Sequence, residues 1–380
     1  MKNIVLKLGG FHLLMSALGS VFHVMEGSGL EDALLTIYGE NVVKHIVSGK
    51  AYARAVRASV LVESALMTIL VSKVCGETAD ELSATGETDY QQTDEETRKL
   101  KEMVNSIDIT SSTGIAESDS LLRLDECLNL LKTTLAERSR TSKLWIQYLY
   151  HVECIKDFIR AERISDWEGH LVAVGELLNL FAATRHLHYA KCARLYLQQM
   201  RKLPETHPWL YEKFAVHGLH AVRRSPKFWA GLSPDLVVEQ VVMRSLKSRG
   251  GLTRGRGVTE SVRQQWVLTM HQFASIHDAM TSLTGRHHER SEQHAELGKS
   301  RRNRDERDYI EIFKWLQAHD PFSEDSTYEL RSLSTGLTAS KDDNINCDRV
   351  EEVGQRIQSS LDGVAVSAAK LKKSDAVRTL

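Results

Sequence analysis

The amino-acid sequence predicts a mainly α-helical, bundle-like protein, and three observations support this fold class. Apolar residues recur at spacings of three and four over long stretches, which is typical of helices that bury one face. The chain has only five prolines in 380 residues, which favours helices over an architecture of short strands and turns. Apolar residues make up 42% of the chain and charged residues 26%, so a sizeable core can form.

The first unit, residues 1–75, is predicted to contain a short strand followed by helices. Residues 4–8 form the strand, which ends at Gly9-Gly10. Ser28-Gly29-Leu30-Glu31 has the spacing of a capping box that starts a helix. A longer helix is predicted over about residues 49–74. Its apolar stretch contains Glu63 and Lys73, which favours a buried helix over a membrane span.

Residues 76–120 differ in composition from the rest of the chain. They contain twelve acidic residues and three basic ones, with many Ser and Thr. Such a segment has too little apolar surface to offset the loss of chain entropy on folding. It is predicted to be an acidic flexible insertion, with a short helix over 95–107 as the alternative. The segment separates the first unit from a predicted helical core domain, residues 121–335.

The helical core domain begins with the strongest periodic signal in the chain. One apolar stripe contains Trp145, Tyr148, Leu149, Val152, Ile155, Phe158 and Ile159. A second capping box, Ser165-Asp166-Trp167-Glu168, is predicted to start the next helix. A third helix ends near Pro204. Because the connections between the three are short, we expect antiparallel packing.

The pattern after Pro204 is less regular. Two helix starts with proline in the first turn are predicted, at His207-Pro208 and at Ser233-Pro234-Asp235. Further helices are predicted over residues 260–283 and 291–318. A last helix, near residues 347–361, and a frayed tail form the C-terminal unit, residues 336–380.

Charge and cysteine content restrict the classes of function. Forty-nine basic and fifty acidic residues leave a formal net charge of −1, so global charge predicts neither nucleic-acid nor membrane binding. The five cysteines are odd in number and form no CxxC motif. They are Cys75, Cys127, Cys154, Cys192 and Cys347. Reduced, mostly buried thiols in an intracellular protein of the nucleus or cytoplasm are the predicted state, and no membrane contact is expected.

No motif of a metal centre, nucleophile or nucleotide site occurs in the sequence. Among the sixteen histidines, the spacing that places two rings on one helix face occurs at His217 and His220. Neither HExxH nor a cysteine–histidine finger is present, so no metal site is predicted. The chain also lacks GxSxG and the Gly-Lys-Ser/Thr element of a P-loop. No cofactor is therefore predicted.

Local positive charge is concentrated in one glycine-rich loop, where five basic residues occur within thirteen positions without an acid. These residues are Arg244, Lys247, Arg249, Arg254 and Arg256. Arginine side chains and glycine amides suit phosphate, which makes DNA or RNA a candidate partner. The alternative is a solvated loop whose arginines pair with nearby carboxylates. The preceding helix is apolar nearly all round and predicts a buried Glu239, paired either with an arginine or with a metal.

Three segments of the sequence resemble a protein family. They are Leu8-Gly9-Gly10-Phe11-His12, residues 190–200 and residues 229–257. The family is a group of mostly uncharacterised metazoan proteins related to transposon-encoded proteins, similar to the C-terminal part of transposases with a ribonuclease-H-like (DDE-type) core. The resemblance implies that residues 4–8 are a core strand and that His12 and Glu239 are catalytic positions.

The same resemblance implies that this chain lacks part of the catalytic core. Only three residues precede the predicted strand, and Gly10 stands where an acid is expected. One carboxylate does not hold two magnesium ions, so magnesium would be a cofactor only of a longer chain. We therefore expect a non-catalytic remnant or fragment of a transposase-derived protein that contacts nucleic acid. A helical scaffold that binds other proteins is the alternative, and a magnesium-dependent nuclease or integrase is a third hypothesis.

Overall fold

The computed structural model describes residues 5–74, 119–243, 298–323 and 328–339, with further positions between 259 and 283 and between 350 and 359. Most of these residues are helical, and the sheet that they contain has two strands. The prediction of a mainly α-helical protein is confirmed.

The N-terminal part forms four helices, α1 (Gly10–Val24), α2 (Leu30–Leu35), α3 (Glu40–Val47) and α4 (Tyr52–Val74). The predicted strand is wrong over its described residues. Residues 5–9 are not in a strand, because no segment among the described residues forms a hydrogen-bond ladder with them. Val5 and Leu8 pack instead against the core, and Leu6 is exposed.

The middle of the chain forms the predicted series of long helices. Its elements are α5 (Asp119–Arg138), α6 (Arg140–Ile164), α7 (Trp167–Ala183) and α8 (Leu187–Arg201). Each packs against the next, as expected for short connections. The stripe on α6 is buried, and Trp145, Tyr148 and Phe158 are among the largest fully buried side chains.

The cap between α6 and α7 differs from the predicted one by a residue. Ser165 closes α6 in the left-handed conformation, with φ of 63°. Asp166 is therefore the N-cap of α7, and its Oδ1 accepts from the backbone N–H of Gly169 at 3.0 Å. The shift occurs because a residue that terminates one helix in the left-handed region cannot also have the extended backbone of an N-cap.

After α8 the elements become short. Helices α9 (Leu203–Thr206) and α10 (Pro208–Ala215) lead into an antiparallel hairpin, made of β1 (Val222–Arg223) and β2 (Gly231–Leu232). Helix α11 (Pro234–Val237) follows and continues as a π-helical segment, Val238–Met243. The described positions between 260 and 283 are helical, as predicted.

Helix α12 (Lys299–Ala318) packs against α4. An arginine fixes the contact, since Arg57 donates to Asp305 at 2.6 Å, to Asp308 at 2.7 Å and to Tyr38 at 2.8 Å. Helix α4 is long and apolar enough to cross a membrane by length and composition, but half of its apolar window is buried inside the protein. Its apolar composition is thus explained in part by packing on other helices.

Within the described residues, one buried apolar cluster runs from Leu13 to Val350. It takes side chains from the predicted first unit, from the helical core domain and from the C-terminal unit. The cysteines contribute less to it than predicted. Cys154 is buried, whereas Cys127 and Cys192 are exposed, because both lie on the outward faces of their helices. The acidic insertion lies outside the described residues up to position 118.

Candidate functional site

The start of α1 is held by the first turn of α11. Asp235 accepts hydrogen bonds from the backbone N–H groups of Phe11 and His12, both at 3.1 Å. These are amides of the first helical turn, which has no partners within the helix. A Cβ atom at Gly9 would collide with the Asp235 carboxylate, and one at Gly10 would collide with the Ser233 hydroxyl. The two glycines therefore permit this close approach.

The predicted catalytic residue His12 forms a pair with Asp235. Its Nδ1 lies 3.0 Å from Asp235 Oδ2, and the imidazole side chain is 50% exposed. The carboxylate orients the ring and leaves Nε2 as the remaining polar atom. The arrangement can exchange a proton or contact an anion. It also serves as the cap of α1, and that role follows directly from the two backbone hydrogen bonds.

A buried polar cluster, which we call the Glu162 junction, lies behind this cap. The junction contains Lys7, Glu162, His170, Tyr196, His220 and Ser233. Ser233 donates to Glu162 Oε2 at 2.6 Å. His170 Nδ1 lies 2.8 Å from Glu162 Oε1, at an angle outside ordinary hydrogen-bond geometry. Lys7 Nζ lies 3.9 Å from the same oxygen, and His170 Nε2 is 2.9 Å from the Tyr196 hydroxyl.

The junction stabilises a buried negative charge. Burial raises the pKa of Glu162, but the contact with His170, the charge of Lys7 and the hydrogen bond from Ser233 lower that pKa to about 2. Glu162 is thus ionised and acts only as an acceptor. Burial raises the pKa of Tyr196, so its hydroxyl is neutral where it meets His170 Nε2.

His220 differs from the other members of the junction because it has neither a hydrogen bond nor an ion pair among the described residues. Its side chain is buried, and neither ring nitrogen has a hydrogen-bond partner among the described residues. Its ring lies 5.2 Å from the Trp167 ring and 5.7 Å from the His170 ring, centroid to centroid. Burial lowers the pKa of His220 to about 4. Burial disfavours the charged imidazolium, which makes this position sensitive to pH.

The junction fixes the base of the β1–β2 hairpin against the end of α6. Ser233 follows β2 directly, and His220 lies two residues before β1. A Cβ atom at Gly231 would overlap the Glu162 carbonyl oxygen, so only glycine allows this backbone contact. Arg223 donates to the Ser165 hydroxyl at 3.4 Å. The hairpin is therefore attached at both strands.

The tip of the hairpin is exposed and basic. Arg223, Arg224 and Lys227 are exposed, and the adjoining Phe228 and Trp229 are 70% and 47% exposed. The stretch from residue 213 to residue 234 contains four basic residues and no Asp or Glu. We call residues 223–229 the hairpin tip. It combines positive charge with unburied aromatic rings.

Glu239, the second predicted catalytic residue, lies on the π-helical segment and is not part of a group of metal-ligating side chains among the described residues. Glu239 is half-buried on the π-helical segment, and its neighbour Val238 is 45% exposed. The predicted burial of this helix is therefore only partial, because one face of it is turned to solvent. In the part of the chain that the structure describes, no group of three or more His, Cys, Asp or Glu side chains has the arrangement of a metal site.

The five residues of the predicted basic loop lie outside the described residues. They are Arg244, Lys247, Arg249, Arg254 and Arg256. They follow the π-helical segment, which begins six residues after β2. The chain therefore passes from the hairpin tip to the basic loop through one short helical connection.

Sequence reasoning missed both the hairpin tip and the Glu162 junction. The signal for the tip was the run Arg223-Arg224-Ser225-Pro226-Lys227-Phe228-Trp229, in which basic and aromatic residues alternate with turn formers. The junction had no such signal. Its six members come from six separate elements or connections, and only the fold brings them together.

Comparison with known proteins places the chain in a family. Residues 1–380, the whole sequence, match a domain of unknown function (DUF8702), and the chain belongs to that family. No curated protein matches the chain. No solved structure matches it either.

Proposed function

We propose that this member of the DUF8702 family is a transposase-derived protein that contacts nucleic acid without cutting it. The observation that carries the proposal is the hairpin tip, where three basic side chains are exposed beside two exposed aromatic rings. Phosphate neutralisation by Lys and Arg supplies most of the affinity in sequence-independent binding. The resemblance of residues 8–12, 190–200 and 229–257 to transposon-related proteins supports the origin.

Two further features support nucleic-acid contact by this region. The stretch from residue 213 to residue 234 contains no Asp or Glu, and Asp235, which follows it, accepts from the backbone of α1. The basic loop, residues 244–256, adds five positive charges a short distance further along the chain. Together the two segments provide a local positive potential that the net charge of −1 conceals.

We propose binding without cleavage of nucleic acid because of the positions of the acidic side chains among the described residues. Two-metal phosphoryl chemistry requires several carboxylates around one cleft. Asp235 is used for capping, and Glu239 stands on the next helical turn. No third acid accompanies them in a metal-holding arrangement among the described residues. We therefore propose binding as the activity and treat His12 as a structural partner of Asp235.

Titration with labelled DNA and RNA at increasing salt tests the proposal. We expect measurable binding at low salt and an affinity that falls steeply as salt rises, because phosphate contacts release counterions. Lys227→Ala should weaken binding. It should also reduce the steepness of log K against log salt concentration by about 0.7–0.9, the value expected for the loss of one phosphate contact. Lys314→Ala, which removes an exposed lysine on α12, should change neither. No association at the lowest salt would refute the proposal.

A protein-binding scaffold is the second candidate, and one observation favours it. Seven large apolar side chains are exposed within residues 209–238. They are Trp209, Val216, Leu219, Val222, Phe228, Trp229 and Val238. Exposed apolar groups at this density are typical of interaction surfaces. Salt separates the two candidates, because burial of apolar surface is strengthened rather than weakened by many salts.

A further inference from the structure

We propose that the hairpin tip binds single-stranded nucleic acid, with unpaired bases stacking on Phe228 and Trp229. This inference rests on the proposed nucleic-acid contact and names its substrate. In a duplex the faces of the bases are covered by their neighbours, so an aromatic side chain can stack only on bases that are unpaired or at an end. Exposed rings beside basic side chains are the arrangement that single-strand binding uses.

The exposure of these two rings is not explained by the packing of the chain. Single exposed apolar residues are common on protein surfaces. Here two adjacent aromatic residues are exposed together, at 70% and 47%, although the next residue, Ala230, is buried. Neither ring belongs to the apolar core or packs against it. Large aromatic side chains are among the most costly to expose to water. The chain nevertheless places these two outside its core.

The tip is organised before any ligand arrives. Arg223 Nη2 donates to the Lys227 carbonyl oxygen at 2.6 Å, and the Lys227 N–H donates to the Ser225 hydroxyl at 3.3 Å. The N–H of Arg224 donates to the Ala230 carbonyl at 3.1 Å. These bonds close the loop on itself above a base that the Glu162 junction fixes. A preorganised loop loses less entropy on binding than a flexible one.

Charge complementarity identifies the occupant as a polyanion. Cations lie on both sides of the aromatic pair, with Lys227 directly before it and Arg223 and Arg224 on the opposite arm of the loop. A chain of phosphates can contact these cations while its bases face the rings. An uncharged apolar partner could contact the rings but would gain nothing from the cations beside them.

The experiment compares single strands with a duplex on the full 380-residue chain. The probes are fluorescently labelled DNA and RNA strands of about 20 nucleotides, longer than typical single-strand sites, and the blunt DNA duplex of the same sequence. The variants are Phe228→Leu with Trp229→Leu, which removes both rings but keeps apolar bulk, and Trp229→Phe, which keeps a ring. Lys314→Ala is the distant control. Thermal unfolding should be the same for all, because the altered side chains are exposed.

We expect the wild-type chain to prefer single strands over the duplex. The double leucine variant should bind single strands about tenfold or more weakly, as loss of base stacking predicts, with duplex binding and its salt dependence unchanged. Trp229→Phe should retain most of the affinity. Comparison of the affinities for the DNA and RNA strands shows whether the sugar contributes to binding.

Three outcomes would overturn the inference. Equal affinity for single strands and duplex, or single-strand affinity that survives the double leucine change, would show that the rings do not stack on bases and would leave salt-dependent binding in place. The rings would then face another occupant, either a protein or residues 244–258 of the same chain. No binding to any probe at low salt would refute the proposed function and this inference with it.

Discussion

Acid should destabilise this protein in a pH range set by its buried histidines. His220 and His151 are both buried, and burial lowers the pKa of each to about 4. In the unfolded chain a histidine has a pKa near 6.5. Between these values the unfolded state binds more protons than the folded state, so stability that is present above pH 6.5 is lost as the pH falls towards 4.

The size of the effect follows from the two pKa values. A pKa difference of one corresponds to about 1.4 kcal/mol, so the difference between 6.5 and about 4 at His220 corresponds to roughly 3 kcal/mol. His151 adds a loss of similar size. The two together are thus comparable with the lower end of a typical domain stability of about 5–15 kcal/mol, and we expect a large loss of stability near pH 4.

The change that tests this reasoning is His220→Leu. Leucine keeps a similar volume among the Trp167, His170 and Phe214 rings and removes the two unsatisfied nitrogens. Urea unfolding, followed by tryptophan fluorescence and circular dichroism at pH values from about 7 to about 4, gives the free energy of unfolding at each pH. The variant should lose roughly 3 kcal/mol less than the wild-type chain over this range. His45→Leu, at an exposed position on α3, is the matched control.

Glu162 affects stability in a different pH range from His220. The folded-state pKa of Glu162, about 2, lies below its ordinary value of 4.5. The stability that Glu162 contributes is therefore present above pH 4.5 and is lost as the pH falls towards 2. His220→Leu acts above this window. If the His220→Leu variant and the wild-type chain lost stability in parallel between pH 6.5 and 4, the buried neutral imidazole would not be the cause and the reasoning would be wrong.

Two further substitutions test the local geometry, each by the free energy of unfolding. Gly231→Ala should cost about 1–3 kcal/mol or more, because its Cβ would overlap the Glu162 carbonyl. Gly39→Ala, where a Cβ meets nothing within 4 Å, should cost about 1 kcal/mol or less, because alanine is only a poorer N-cap of α3 than glycine, and equal costs would contradict the close contact. Asp166→Ala should cost about 1 kcal/mol as the loss of the α7 N-cap. Ser165→Ala should cost less than about 0.5 kcal/mol, and the reverse order would restore Ser165 as the cap.

The helices with a strong apolar period could be predicted from the sequence. The stripe from Trp145 to Ile159 gave α6, and short connections gave the order of α6, α7 and α8. These features depend on neighbours three and four residues apart, which the sequence shows directly. Helix ends were less accurate, as at Ser165, because the same residue type suits both a helix start and a turn.

The strand-forming segments could not be predicted for a physical reason. Residues 4–8 have strand-like composition, but residues 5–8 have no partner strand in the part of the chain that the structure describes, and pairing rather than composition makes a strand. The true strands have two residues each, too few to show alternation. Their pairing depends on Gly231 meeting the end of α6, a contact between residues nearly seventy positions apart.

The candidate site was also set by distant contacts. His12 and Asp235 are 223 positions apart, and Ser233 and Glu162 are 71 apart. The sequence explained Ser233 and Asp235 as a helix start, and it assigned no role to Glu162. The partner that gives each residue its role comes from another element. The resemblance included both segments that meet here, residues 8–12 and 229–257. It placed Gly10 and His12 at the end of a catalytic strand, whereas they lie at the start of α1.

The packing of these segments changes what the resemblance can say about function. Gly9 and Gly10 must lack side chains because Asp235 and Ser233 occupy the space, and Asp235 is needed to satisfy two amides of α1. A chain of this fold would keep these residues whether or not it did chemistry, so they report the fold. Phe228 and Trp229 are different, because the core gains nothing from them and solvent exposure costs free energy. A side chain that folding does not require is the better indicator of function, which is why the hairpin tip carries the proposal and His12 does not.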